Sequence, residues 1–180
     1  MLLKELFDKQ EELDNIIRKN HVEANDKHST VISKRFLAFI VELGEVLEDR
    51  ITRRHRLEEY VDGLHFILSI GNELNAKDYV VNCATLDYIY KDIKLGRNND
   101  IPFDLKKVIV DFGLLANKCR SFKFWSKKGM EMGASLNNEY TNLFYSYIEM
   151  AISLGFGVCE IEKAYLDKYK VNIERQDNGY

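Results

Sequence analysis

The segment EEYVDGLHFILSIG, Glu58–Gly71, poses the central problem of this chain. Its apolar residues Val61, Leu64, Ile67, Leu68 and Ile70 recur at helical spacing and have a core to fill. Yet Asp62, His65 and Ser69 lie among them, and a carboxylate enters a core at high cost unless something compensates its desolvation. Residues three or four apart share a helix face, so Asp62, Ser69 and Glu73 align, with Glu59 and His65 at the margins. The segment therefore reads as a helix with a narrow polar seam on an apolar cylinder. Which partner meets Asp62 is left for the rest of the sequence to answer.

The same spacing recurs along the chain, and strand-like alternation is hard to find. Leu3, Leu6, Leu13, Ile16 and Ile17 predict a first helix over roughly Leu2–Lys19. HSTVISKRFLAFIVELGEVLEDR, residues 28–50, predicts a second with Ser29 or Thr30 as its cap. The third contains the opening segment and ends near Asn75, and a fourth runs from Asp78 to about Leu95. LGRNNDIPFD, residues 95–104, is the clearest loop, with Pro102 near the first turn of a fifth helix. NNEYTNLFYSYIEMAISLGF (137–156) and VCEIEKAYLDKYK (158–170) predict two more, and the polar tail NIERQDNGY lies outside a core. An all-α helical bundle follows, as a single domain over residues 1–180.

A faint duplication runs through this pattern. VELG at 41–44 is echoed by VDFG at 110–113, and the opening segment by LFYSYIEMAISLG at 143–155. Aligned on the terminal Ser-x-Gly, Asp62 falls opposite Ser146 and Glu59 opposite Leu143.

Composition narrows the class. A hydrophobic fraction of 46% with 12% aromatics excludes a disordered chain. A net charge of -3, from 26 basic and 29 acidic residues, argues against direct nucleic-acid binding. Cys83, Cys119 and Cys159 are too dispersed for a CxxC site or a disulfide framework, which suits a reducing compartment. The start MLLKELFDKQ lacks a signal-peptide core, and no apolar run is long enough for a bilayer. The expectation is a soluble cytoplasmic protein without a membrane partner.

Glu42 and Glu45 form a second acidic seam on the preceding helix, flanked by Ile40, Val41, Leu43 and Val46. Gly44 between them gives up helix propensity and leaves room for close approach. Thirteen residues, Val46–Glu58, separate the two acidic pairs, and only the last few need turn if the helices run antiparallel. Four carboxylates would then converge and repel one another. A divalent cation removes that repulsion, and Mg²⁺ prefers hard oxygen ligands and bridges phosphates. On this reading Asp62 meets a metal shared with Glu42, Glu45 and Glu59. Glu-x-x-Glu alone is commonplace on solvated helices, and Glu48, Asp49 and Glu58 read as such surface acids. His65 alone is more often a satisfied core or surface histidine than a ligand.

The pattern ELGE, thirteen residues, then EYVD has the form ExxE…ExxD and resembles the all-α nucleoside triphosphate pyrophosphatases, the MazG-like superfamily. With EEYVDGLHFILSIG, the N-terminal KQEELDNII and the C-terminal YLDKYKVNIERQDNGY, it most resembles the dimeric dUTPases. That resemblance implies a Mg²⁺-dependent dUTP diphosphatase releasing dUMP and pyrophosphate, working as a homodimer with a degenerate second half. It implies Glu42, Glu45, Glu59 and Asp62 as metal ligands, with Glu45 as catalytic base. His65 and Phe66 match the deoxyuridine-binding HF pair, Gln10 a base-contacting glutamine, and Lys168, Asn172 and Arg175 the phosphate-contacting set. Without the family match, those last three read as a solvated charged tail. Leu13 departs from the pattern, standing where some members carry an asparagine beside the base. The segment between the acidic pairs is short and basic (Arg50, Arg53, Arg54, Arg56), where many members have a Trp-bearing segment. Trp125, in FKFWS, is then either a displaced base-pocket residue or core. Two rival readings remain: a MazG-like pyrophosphatase of dCTP or a damaged nucleotide, and a non-catalytic helical interaction protein. A nucleotide-responsive dimer with a regulatory protein over its site is a third.

Overall fold

The computed structural model describes residues 2–20, 28–81, 85–96, 106–121 and 129–179. Among them are eight helices: α1 (Leu3–Asn20), α2 (His28–Val46), α3 (Arg53–Glu73), α4 (Lys77–Val81), α5 (Leu86–Gly96), α6 (Lys106–Ser121), α7 (Gly129–Ser153) and α8 (Val158–Asp177). No strand occurs among the described residues, only an isolated Leu2–Thr85 bridge. The fold is the all-α bundle that the periodicity predicts.

Several boundaries move. α2 stops at Val46, so the turn to α3 takes the first part of the Val46–Glu58 segment rather than its end. Thr52 explains why α3 starts there: its backbone is extended, and its Oγ1 accepts the His55 N–H at 3.2 Å. Ser29 and Thr30 lie inside the first turn of α2 and not ahead of it. The helix predicted over Asp78–Leu95 is two, because Thr85 Oγ1 accepts the Tyr88 N–H at 3.0 Å and starts α5 afresh. α7 begins well before Asn137, and α8 continues through the polar tail to Asp177. Pro102, Cys83 and Trp125 lie outside the described residues.

α3 is the central rod. α2 packs along it most extensively, and α1, α7 and α8 cover its other sides. Tyr60, Val61, Leu64, Ile67, Leu68 and Ile70 are buried, as the opening segment requires. Where α3 crosses α7, Tyr60 and Tyr147 stack with centroids 4.6 Å apart, and each hydroxyl donates to the other's backbone carbonyl, at 3.2 and 2.8 Å. Gly63 permits this approach, since a Cβ there would overlap the Tyr147 hydroxyl.

The internal echo is visible in these bonds, in a register one helical turn from the Ser-x-Gly alignment. Tyr60 donates to Tyr147 O, and Tyr140 donates to Ile67 O at 3.0 Å, so α3 and α7 contact each other reciprocally with Tyr60 matched to Tyr140. The helix ends repeat in the same register. Leu74, Asn75 and Ala76 donate to Ile70, Asn72 and Gly71, as Leu154, Gly155 and Phe156 donate to Met150, Ile152 and Ala151. Asn75 and Gly155 hold the matching positive φ values, 53° and 76°. Glu59 therefore corresponds to Glu139 and Asp62 to Asn142, not to Leu143 and Ser146.

Candidate active site

The antiparallel packing of α2 on α3 gathers three of the four predicted acidic residues. Glu42, Glu45 and Glu59 each offer an oxygen within 4.8 Å of the others'. Burial, and then the charges of Asp62, Glu45 and Glu59, push the Glu42 carboxyl up to about 7. Glu59 is raised as well, by burial and by Glu45 and Asp62 beside it. His55, one turn earlier on α3, sets Nε2 3.3 Å from Glu59 Oε1.

Asp62 stands on the same seam with a different partner. Lys168 of α8 donates to its Oδ2 at 2.5 Å. Burial raises the Asp62 carboxyl above its ordinary value, and Lys168 and then Arg175 offset only part of that rise. The seam as a whole follows this rule. Ser69 Oγ accepts from Arg35 Nε of α2 at 3.0 Å, and Glu73 pairs with Arg18 of α1. Asp62, Ser69 and Glu73 thus each meet a basic side chain from a different helix.

A cavity of about 210 Å³ opens beside Asp62 where α1, α2, α3 and α8 meet. Every predicted substrate residue lines it: Gln10, His65, Phe66, Lys168, Asn172 and Arg175. Glu42 and Asp62 face it too, so acidic cluster and cavity adjoin. Leu13 and Ile17 give an apolar wall. A wider groove of about 750 Å³ between α3 and α8 shares Lys168 with this cavity and has Glu59, Arg54, His55 and Lys163 on its walls.

The cavity is floored by a buried polar chain. Gln10 Nε2 donates to Asp14 Oδ1 at 2.8 Å. Its Oε1 faces His65 Nδ1 at 2.6 Å and accepts from the Tyr165 hydroxyl at 3.2 Å. Tyr165 stacks on His65 with centroids 4.2 Å apart. Burial, and then Lys168, lower the His65 pKa to about 3, so the ring is neutral at physiological pH. With its Nε2 donating to Asp14, Gln10 turns Oε1 toward His65 and so puts the ring proton on Nδ1. His65 Nε2 is then an acceptor, buried and without a partner.

Asp14, Arg35, His55 and Tyr165 were not among the predicted site residues. Asp14 carried a readable signal: like Asp62, it is an acid inside an apolar run, one turn from Gln10 and followed by Ile16 and Ile17. Arg35 and Tyr165 had none, since only the packing of α2 and α8 against α3 brings them to the site.

A family model described as dUTPase matches residues 2–101 and 132–180 of the chain, which together carry all of these residues. Among curated proteins and among solved structures, nothing matches.

Proposed function

The chain belongs to the all-α dUTPase family, and from that membership we propose that it is a Mg²⁺-dependent dUTP diphosphatase, splitting dUTP into dUMP and pyrophosphate. The observation carrying this reading is the convergence of Glu42, Glu45 and Glu59 at the edge of a cavity lined by Gln10, His65, Phe66, Lys168, Asn172 and Arg175, to which this reading gives the base, sugar and phosphates. The donor set fits a hard divalent cation. It is all oxygen, and the Glu42 carboxyl is pushed up to about 7 by burial first and then by the charges of Asp62, Glu45 and Glu59.

Glu42, Glu45 and Glu59 would hold Mg²⁺, with Asp62 joining them once Lys168 turns to the substrate. When bound, the ion supplies positive charge against the phosphate oxygens and acidifies water. Glu45, the exposed member of the trio, takes the proton of the attacking water. Attack on the β-phosphorus, which the family resemblance favours, is in line with the Pβ–O bond to the α-phosphate: that bond breaks, dUMP departs, and the oxygen of the water ends in pyrophosphate. Lys168 and Arg175 stabilise the charge that develops there. Asn172 adds a neutral amide to the same flank, and Phe66 offers a stacking face to the deoxyuridine. Neutral His65 contacts the nucleoside without placing a second charge beside Lys168.

A homodimer is part of this reading. α2 exposes Leu37, Ile40 and Val41, and α6 exposes Ile109, Val110 and Leu114, an apolar surface that a second copy would cover. Sedimentation at micromolar concentration tests it, a monomer being the adverse result.

The decisive assay is pyrophosphate release from dUTP, dCTP, dTTP and dATP, with and without EDTA. Release from dUTP that EDTA abolishes is expected. A clear preference for dCTP turns the assignment to a MazG-like pyrophosphatase. No release and no specific Mg²⁺ uptake leaves a helical interaction protein.

A further inference from the structure

Lys168 stands between two spaces. It lines both the cavity of about 210 Å³ and the groove of about 750 Å³, and α8 sends its ammonium to Asp62 Oδ2 at 2.5 Å. The two side chains are only 27% and 18% exposed, so solvent screens the pair weakly. Asp62 also lies close enough to the glutamates for charge to act between them. It raises the Glu42 and Glu59 carboxyls, and Glu45 helps to raise its own. Its oxygens nevertheless stay outside the trio that gathers within 4.8 Å. One acid of the four is thus near the cluster, felt by it, and held by a cation of the protein's own.

We propose that Lys168 is a latch on the metal site: its ammonium withholds Asp62 from the glutamate trio, and a phosphate group that draws the ammonium away releases Asp62 as a fourth oxygen donor, so that divalent cation and phosphate bind cooperatively. This inference rests on the Mg²⁺-dependent reading of the site and extends it from which residues hold the ion to when they do so. Neither half of the exchange is favourable alone. Moving Lys168 off Asp62 leaves a largely buried carboxylate beside three glutamates with no counter-charge. Bringing a divalent cation to Asp62 while Lys168 stays sets two cations on one carboxylate. With phosphate on Lys168 and the cation on Asp62, both penalties vanish together. That is a coupling free energy, and each ligand then raises the affinity of the other by the same factor. Lysine suits the task, since its ammonium rides on a flexible stem and donates to any oxyanion within reach. Lys168 faces both spaces in which a phosphate can sit.

The test begins with calorimetric Mg²⁺ titrations in the absence of nucleotide. Lys168→Met should bind Mg²⁺ about 10-fold or more tightly than wild type, the scale of a hydrogen bond between charged groups. Arg175→Met removes an equal charge that Asp62 feels less strongly, and should gain no more than about 3-fold. Adding Asp62→Asn to Lys168→Met should cancel the gain. Lys168→Gln keeps a neutral donor for Asp62 and should show a smaller gain in a variant under less folding strain. Non-hydrolysable α,β-imido-dUTP, in the same excess throughout so that its own chelation cancels, should tighten Mg²⁺ binding to wild type more than to Lys168→Met. Deoxyuridine, which lacks phosphate, should tighten neither. The latch is overturned if both Lys168 variants bind Mg²⁺ no better than wild type, or if Arg175→Met gains as much. It is equally overturned if the gain survives Asp62→Asn, or if the analogue and deoxyuridine act alike. Failure of the diphosphatase reading looks different: dUTP stays intact while Lys168→Met still tightens Mg²⁺. EDTA-sensitive dUTP hydrolysis with a Mg²⁺ affinity unmoved by Lys168→Met would keep the enzyme and sink the latch.

Discussion

The Lys168 ammonium sits 2.5 Å from Asp62 Oδ2, so a protein cation already neutralises the predicted metal ligand that the glutamate trio leaves out. Two substitutions at this spot should therefore move stability and activity differently. Lys168→Met leaves a largely buried carboxylate without its partner. Breaking such a pair costs more than making it gains, and a loss of about 1–3 kcal/mol is expected alongside loss of turnover. Glu45→Gln instead removes one charge from a crowd of like charges. It should lower kcat by a factor of about 100 or more, the scale of a lost general base, while the melting temperature stays level or rises. Thermal unfolding and pyrophosphate release on both variants check this, and wild-type-like turnover in Glu45→Gln would defeat its role. His55 and Glu59 belong to the same neighbourhood, 3.3 Å apart. The imidazole reaches the acidic cluster from one turn away, an i,i+4 contact along α3.

At the scale of helices, the crossing of α3 and α7 depends on two glycines. An alanine in place of a helical glycine ordinarily stabilises by about 1 kcal/mol. At Gly71 a Cβ would lie 2.8 Å from Phe7 Cε1 and overlap the Tyr140 hydroxyl, whose bond to Ile67 O holds the crossing. Overpacking of this kind costs about 1–3 kcal/mol and a displaced hydrogen bond about 1 more, so Gly71→Ala should destabilise on balance. At Gly44 a Cβ meets nothing within 4 Å, and there the ordinary gain should appear in the monomer. Urea unfolding of the two variants gives opposite signs if the crossing is as described; equal shifts would refute it. The same crossing explains what was legible in sequence. Helical period located the long helices, because burial against a central rod imposes it on each of them. Their ends were less legible, since Thr52 and Thr85 act as caps through side chains that any loop could carry. The repeat was visible but mis-registered by one turn: a shift of four residues preserves the helix face, and only the Tyr60 and Tyr140 bonds fix it. In that register Glu59 matches Glu139, which meets Lys118 of α6 at 2.5 Å. The second copy thus pairs its glutamate with a protein cation, where the first copy assembles three carboxylates. Those carboxylates were legible because ExxE and ExxD keep all four acids on facing stripes. Lys168 as the partner of Asp62 was not, because it arrives from a helix more than a hundred residues away.

Across the whole molecule, the acidic cluster links pH, metal and stability. Burial and neighbouring acids raise the Glu42 carboxyl from 4.5 to about 7 in the folded chain. Between those values the unfolded chain has released a proton that the folded one keeps, so the favourable contribution is complete below pH 4.5 and lost as pH rises through 7. Glu42 is only part-buried, and solvent screening reduces the effect to the order of 1 kcal/mol. For a chain of this length that corresponds to about 2–4 °C in melting temperature. Without metal, wild-type protein should therefore lose that much more stability between pH 5 and pH 8 than Glu42→Gln, in which the titration is gone. Mg²⁺ binds the ionised form and should act in the opposite sense, raising the melting temperature more at pH 8 than at pH 5. Parallel pH slopes for the two proteins would remove Glu42 from the explanation. A Mg²⁺ shift that is equal at both pH values, or as large in Glu42→Gln as in wild type, would mean that the ion binds somewhere other than between α2 and α3.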